Sequence, residues 1–281
     1  MDNEKRHAEN NLMEANTDYT GCDGLLVCGV CGERKETWID LSILKGTGEK
    51  KKVPCMCKCQ QESRNKIEEE YERKEEMIRI GRLREASLID SKFNNARFEN
   101  FKQTKNNQMI YKICHEYAET FDQKLKNNNG LLLCGEVGTG KSFAAACIAN
   151  YLLDRGIPVI MTSFVRLVDM YRSWEDCPDI INQFQTVKLV IFDDLGAERD
   201  TDYSLEKVYD IVDRRYNSGL PMILTTNRPM EEILQETDIR YKRIYDRIME
   251  NCPWVNFTGA SWRKKHGFKE MEKMQNYMNG G

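Results

Sequence analysis

The sequence predicts an α/β domain on a five-stranded parallel sheet, preceded by a small cysteine-rich module and a highly charged helix. Three observations predict it. Residues Gly135 to Ser142 read GEVGTGKS, the G-x-x-x-x-G-K-[ST] spacing of a phosphate-binding loop. Residues Val187 to Asp194 read VKLVIFDD, an apolar run closed by two acids. Cys28, Cys31, Cys55, Cys57 and Cys59 crowd one short segment, whereas Cys114, Cys134, Cys147, Cys177 and Cys252 are scattered.

The phosphate loop needs its residue types at that spacing. Glycines at Gly135, Gly138 and Gly140 let the backbone curl so that its N–H groups, with those of Glu136, Val137 and Thr139, face phosphate oxygens. Lys141 is placed to neutralise the β- and γ-phosphates of ATP, and the Ser142 hydroxyl to hold Mg²⁺. An apolar strand, LLLC, precedes the loop, and an Ala-rich helix, SFAAACIANYLLD, follows. The helix adds its positive N-terminal end to the site.

Composition bounds the rest. With 281 residues and a formal net charge of −3, the chain is large enough for one large or two smaller domains, and its overall charge does not mark a nucleic-acid protein. No apolar run reaches the roughly 20 residues of a membrane span. The polar start MDNEKRHAENNLMEANTD is unlike a secretory signal, so a cytoplasmic location and reduced cysteines are expected.

Taken in order, residues 1–20 lack apolar periodicity and are expected to be a disordered tail. Residues 21–60 form the expected zinc-binding module. Cys28-Gly-Val-Cys31-Gly is a C-x-x-C knuckle, and the interval up to Cys55 predicts a hairpin turning at Gly46-Thr47-Gly48. Two cysteine pairs flanking a hairpin supply four thiolates to tetrahedral Zn²⁺; Cys28, Cys31, Cys57 and Cys59 are the favoured set, with Cys55 as the alternative. Cys22 is a bystander. Residues 61–90 predict a charged linker helix whose apolar stripe is only Ile67, Tyr71, Ile78 and Leu83. It is either a plain spacer or an arm that presents the zinc module.

From residue 91 to 270 the pattern is that of the α/β domain. Phe93, Phe98 and Phe101 read as packing beneath the first helix, QMIYKICHEYAETFDQKLK, or as a border of the adenine pocket. After the loop and its helix come a strand, PVIMTS, a helix, FVRLVDMYRSW, and the acidic strand. Asp193, at the carboxyl end of that strand, faces the ligand crevice and is placed to hold Mg²⁺; Asp194 is placed to polarise the attacking water. A helix, TDYSLEKVYDIVDRRYNSG, leads to a fourth strand from Met222 that ends in Thr226-Asn227. Asn227 reads either as a turn former or as a group that reaches the γ-phosphate. Arg243 and Arg247, one turn apart on the helix Ile239–Asn251, read either as a solvated face or as arginines reaching a neighbouring subunit's nucleotide. A fifth strand, Trp254 to Phe257, is followed by SWR, and the short remainder leaves no room for a helical lid; residues 271–281 are expected to be a tail, frayed or weakly helical.

A strand between the loop strand and the acidic strand points to the branch of phosphate-loop proteins that includes the AAA+ ATPases, with sheet order 5-1-4-3-2. From Phe98 to Lys265 the chain resembles the DnaC/DnaI-type bacterial or phage helicase loaders and the related IstB-type ATPases. The residues that carry the resemblance are GEVGTGKS, LVIFDDLG, YDIVDRRYNSGLPMILTTN, RIYDRI and SWR, in that order. The resemblance implies roles. Lys141 and Ser142 are the loop pair and Asp193 the magnesium residue. Asn227 senses the γ-phosphate. Arg247, with Arg243 beside it, is the arginine finger acting between subunits, and Arg263 is the second sensor. The helix with Arg166, Tyr171, Arg172 and Trp174 stands where the family faces single-stranded DNA. Many relatives carry Glu where this chain has Asp194, so slow hydrolysis is expected.

The resemblance thus implies an ATPase that loads a hexameric, DnaB-like replicative helicase onto single-stranded DNA, self-associates through its AAA+ domain, and grips the helicase through the zinc module. The alternatives are an IstB-like transposition helper and a nucleotide-switched adaptor with little turnover.

Overall fold

The computed structural model describes residues 18–40, 50–173, 178–197 and 201–279. The expected tail at residues 1–17, the turn at Gly46-Thr47-Gly48 and Trp174 lie outside the described residues, as do the side chains of Tyr171 and Arg172. The chain divides into two compact units, residues 1–77 and 78–281. Among the described residues no helix is long and apolar enough to cross a membrane.

The first unit holds two small antiparallel ladders. β1 (Tyr19–Thr20) pairs with β2 (Leu26–Val27), and β3 (Glu36–Asp40) with β4 (Lys50–Pro54), in the register Glu36↔Pro54 to Asp40↔Lys50. Between them the chain turns tightly at Cys28–Gly32, where the Gly32 N–H donates to the Cys28 carbonyl at 2.8 Å and Gly32 takes a φ of 71°. Helix α1 (Lys58–Ala86) begins in this unit. Its charged surface buries no residue: Ile67 and Tyr71 are only half-buried and Ile78 is exposed. A stripe that thin cannot drive packing along a 29-residue helix.

The second unit is the α/β domain. Its strands are β5 (Leu131–Gly135), β6 (Val159–Ser163), β7 (Leu189–Leu195), β8 (Met222–Thr226) and β9 (Trp254–Phe257). They form one parallel sheet in the order β6-β7-β8-β5-β9. Counted from the loop strand, this is 5-1-4-3-2, as the sequence predicts. Both faces are covered, which is why the strands read as continuous apolar runs. Leu131, Leu133, Leu189 and Ile191 join one buried cluster; Leu132, Cys134, Val190 and Phe192 join the other. The alternation is the two-residue period of a strand.

Helix α2 (Gln108–Glu119) and α3 (Phe121–Lys126) replace the single helix expected there. The break falls at Thr120, whose hydroxyl donates back to the Glu116 carbonyl at 2.7 Å. Helix α4 (Lys141–Leu153) follows the phosphate loop, and its Ala144-Ala145-Ala146 run lets it lie close on the sheet. Helix α5 (Phe164–Ser173) follows β6, and α6 (Pro178–Thr186), absent from the sequence reading, leads into β7. Helices α7 (Asp202–Asn217), α8 (Met230–Leu234) and α9 (Ile239–Asn251) complete the second layer. The tail, expected to be frayed or weakly helical, is helical as far as Asn279 and forms the second half of α10 (Trp262–Asn279).

One buried charge ties this layer to the sheet. Arg215 of α7 is fully buried and donates to the carbonyls of Phe184, Val187, Lys188 and Pro221 at 2.6–3.1 Å. It thereby pins the entry to β7 and the entry to β8, the strands that carry the acids and the asparagine. At the edge strand β6, the Met161 N–H donates to the Ser87 carbonyl at 2.8 Å, so the segment after α1 covers part of an open edge.

Candidate functional site

The phosphate loop leaves β5 through Gly135, which has a φ of 131°. A Cβ there would sit 2.3 Å from the Phe257 carbonyl oxygen, and one on Gly138 would sit 2.1 Å from Ser261 Oγ. Glycine is therefore demanded at both positions by close approach as well as by backbone conformation. Glu136 and Val137 are exposed on the loop's outer turn, and the Thr139 hydroxyl closes it by donating to the Glu136 carbonyl at 2.8 Å. Gly140 precedes the first turn of α4.

Lys141 is buried at the base of the loop. Its ammonium donates to the carbonyls of Gly135 at 2.7 Å and Glu136 at 2.8 Å, and to Asn227 Oδ1 at 2.9 Å. Burial pushes its pKa below the usual value, while the charges of Asp194 and Asp193 oppose that shift. Asn227 makes a second bond, donating from Nδ2 to Asp194 Oδ1 at 3.3 Å. One amide thus links the loop lysine to the second acid of the facing strand.

The acids lie deeper. Asp193 accepts from the Thr225 hydroxyl at 2.7 Å and from the Ser142 hydroxyl. Burial raises its pKa, and the two hydroxyls pull it back down. A carboxylate desolvated beside a serine hydroxyl fits a divalent cation, which takes hard oxygen ligands and repays the burial of negative charge. Ser142 and Asp193 are the residues that would hold Mg²⁺.

Lys141, Ser142, Asp194 and Asn227 border an open cavity of about 470 Å³, within the usual range for a small-molecule site; Asp193, expected to face the crevice, is mostly buried and lies outside that lining, reaching it only through Ser142. Its lining joins aromatic faces, Phe93, Phe101, Phe143 and Trp262, to polar groups, Lys141, Ser142, Asp194, Asn227 and Arg263. Phe98, by contrast, is a core residue with its ring edge-on to Tyr111, His115 and Tyr151. Trp262 and Arg263 reach the cavity because the Trp262 N–H donates to the Gly138 carbonyl at 2.8 Å, docking the start of α10 on the loop. Lys102 and Lys269 also line it. Sequence reasoning passed over these two lysines and Trp262, because nothing local marks a residue brought in from another element.

Arg243 and Arg247 are not brought to this cavity. Arg247 donates to Asp213 Oδ1 at 2.6 Å and lies over the Tyr209 ring at 4.8 Å. Arg243 is exposed one turn earlier. Arg166 is half-exposed on α5, 3.7 Å from Asp90.

In the first unit four thiols converge. The sulphurs of Cys28, Cys31, Cys57 and Cys59 all lie within 4.8 Å of one another, with Cys28–Cys59 at 3.4 Å and Cys57–Cys59 at 3.3 Å. Tetrahedral zinc with Zn–S bonds of ~2.3 Å sets its sulphurs about 3.8 Å apart, so the group fits that ion. The backbone N–H groups of Cys31 and Val30 point at the Cys28 sulphur and lower its pKa, whereas burial raises that of Cys57 and the neighbouring sulphurs raise that of Cys59, as expected of thiols crowded together without a cation between them. Cys55 stands outside the group and donates to the Arg34 carbonyl at 3.4 Å. Cys55 directly follows β4, whereas Cys57 and Cys59 stand at the start of α1, where the change of backbone direction brings those two, and not Cys55, to the group.

Comparison with known proteins agrees with this geometry. The family described as IstB-like ATP binding protein matches residues 58–270. The chain is 30% identical over 206 residues to the replicative helicase loader DnaC of Escherichia coli K12, covering 71% of this chain and 82% of that protein. It is 28% identical over 207 residues to the DnaC of Buchnera aphidicola subsp. Baizongia pistaciae, covering 69% and 80%. Among solved structures, DnaI superposes with a TM-score of 0.53 at 20% identity, over 62% of this chain and 93% of that one. The DnaC helicase loader superposes with a TM-score of 0.53 at 19% identity, over 60% and 100%. The sheet order and the match over most of the chain lead to one conclusion: this is an AAA+ type α/β protein that belongs to the IstB-like ATP-binding family.

Proposed function

We propose that this chain is an ATP-driven loader that places a hexameric replicative helicase on single-stranded DNA. The observation that carries the proposal is the similarity to the E. coli loader, which spans 82% of that protein. The cavity supports the nucleotide half of the reading.

In this reading the loop N–H groups and Lys141 bind the triphosphate, and the aromatic part of the lining takes the base. Ser142 and Asp193 would hold magnesium, which would supply charge neutralisation at the phosphates. Asp194 accepts a proton from the attacking water as the water oxygen bonds to the γ-phosphorus and the bond to the ADP oxygen breaks. Asn227, already bonded to Lys141 and Asp194, orients that water. Arg263 approaches the phosphates from α10. Arg247, with Arg243 beside it, exchanges its Asp213 partner for a neighbouring subunit's nucleotide when the AAA+ domains assemble. Asp194 is one methylene shorter than Glu, so turnover is slow and nucleotide state acts as a switch. Helix α5, which carries Arg166, engages single-stranded DNA, and the zinc module with α1 grips the helicase.

The test is a loading assay: helicase added to a DNA circle coated with single-strand binding protein, with and without this protein and ATP. Unwinding that requires the protein supports the loader. The family name favours a second reading, a transposition helper. ATP-dependent binding to duplex DNA with no effect on the helicase would select it.

A further inference from the structure

We propose that Thr225 is the positioning residue of the acid pair, holding the Asp193 carboxylate and the Asp194 backbone with one hydroxyl. The inference rests on the roles given above to Asp193 and Asp194.

The ladder between β7 and β8 shows why such a residue is needed. Pairing runs from Val190↔Met222 to Phe192↔Leu224 and resumes at Leu195↔Thr226. Two residues of β7, Asp193 and Asp194, therefore stand opposite the single residue Thr225 of β8. This is a bulge, and bulges re-aim side chains at the cost of ladder hydrogen bonds. Asp194 takes a φ of 57° inside it, a conformation that residues other than glycine rarely adopt. That turn sends consecutive acids to different tasks, Asp193 to the buried Ser142 hydroxyl and Asp194 to the cavity with Asn227.

Thr225 fills the gap the bulge leaves. Its hydroxyl accepts from the Asp194 N–H at 2.9 Å and donates to Asp193 Oδ1 at 2.7 Å. Threonine offers one donor and an acceptor, and both are used here. The side chain is fully buried, and its bond to Asp193 is buried with it. The next residue does the same for the bulge's far side, where the Thr226 hydroxyl donates to the Leu195 carbonyl at 2.8 Å. A plain strand residue of the same shape, valine, would leave the Asp193 carboxylate with the Ser142 hydroxyl alone and take away the partner of the Asp194 N–H.

Three full-length variants test this: Thr225→Val, Thr225→Ser and Thr225→Ala. A fluorescent ATP analogue is titrated with Mg²⁺ and in EDTA, and turnover is measured at saturating ATP. Thr225→Val is expected to cut both the Mg²⁺-dependent gain in affinity and kcat by about tenfold, with affinity in EDTA held within about twofold. Thr225→Ser, which keeps the hydroxyl, is expected to restore both to within about threefold of wild type. A Val variant with wild-type Mg²⁺ gain and kcat overturns the proposal. If Val does not fold, Ser against Ala decides: Ser above Ala in both readouts supports it, and equality overturns it. If wild type shows neither a Mg²⁺ gain nor turnover, the roles of the acid pair fail and this inference falls with them.

Discussion

The two units of this chain solve the folding problem in opposite ways. The sheet domain buries two apolar clusters, one on each face, and places its polar chemistry at the carboxyl ends of strands that would be stable without it. In the cysteine module, among the described residues, burial is confined to Leu25, Val27, Cys28 and Cys57. A segment with so little apolar burial cannot offset its chain entropy by packing. In one unit the functional group sits on the fold; in the other the expected metal is the fold.

Metal removal probes this contrast most strongly. Freshly reduced protein is expected to carry about one zinc per chain. Chelation, or Cys57→Ser, is expected to unfold the module and leave the sheet domain's melting transition in place, since structural zinc contributes on the order of 10 kcal/mol. Calorimetry and metal analysis read both, and metal-free protein with an ordered module would break the contrast. Next in size is Arg215→Leu, which strips four buried carbonyls of their donor. Urea unfolding is expected to show a loss of about 3 kcal/mol or more in the sheet domain, with zinc content unchanged.

Lys141→Ala is expected to weaken ATP binding by roughly 100-fold while both units stay folded, measured by equilibrium fluorescence and circular dichroism. A smaller effect separates the lysine from Arg247, the residue proposed to act between subunits. Arg247→Ala is expected to lower turnover at saturating ATP by about tenfold with unchanged ATP affinity. Equal losses in both would place Arg247 in its own subunit's site instead. Smallest is Cys55→Ser, expected to leave zinc content as it was, because Cys55 lies outside the sulphur group.

How much of this could be read from residues follows the same division. The phosphate loop and the acidic strand rest on short local signals, so β5, β7 and the place of Lys141 beside the cavity were legible in the residues; the sheet order came with the resemblance to AAA+ ATPases, and Asp193, expected at the crevice, lies outside the cavity's lining beside Ser142 and Thr225. What was not legible is set by contacts distant in sequence. Nothing near Thr225 in LTTN marks its bonds to two residues more than thirty positions away. Arg215 reads as a surface charge in DRRYN, yet it is fully buried because four carbonyls happen to converge on it. Helix α6 is a short amphipathic piece in a stretch whose pattern is weak. In α10, Phe268, Met271, Met274, Tyr277 and Met278 are all exposed, so beyond Trp262 its apolar residues gave only a weak helical signal. In the module, three alternating cysteines offered more than one ligand set, and only the turn after β4 separates Cys55 from Cys57 and Cys59.

The proposed function turns on whether this chain acts on a replicative helicase. The most direct measurement is size-exclusion chromatography with light scattering on a mixture of the full chain and a hexameric replicative helicase, with ATP, with ADP and without nucleotide. The account predicts a stable complex that depends on an intact cysteine module and whose stoichiometry changes with nucleotide. Two separate peaks under every nucleotide condition, with zinc-loaded and folded protein, would contradict it.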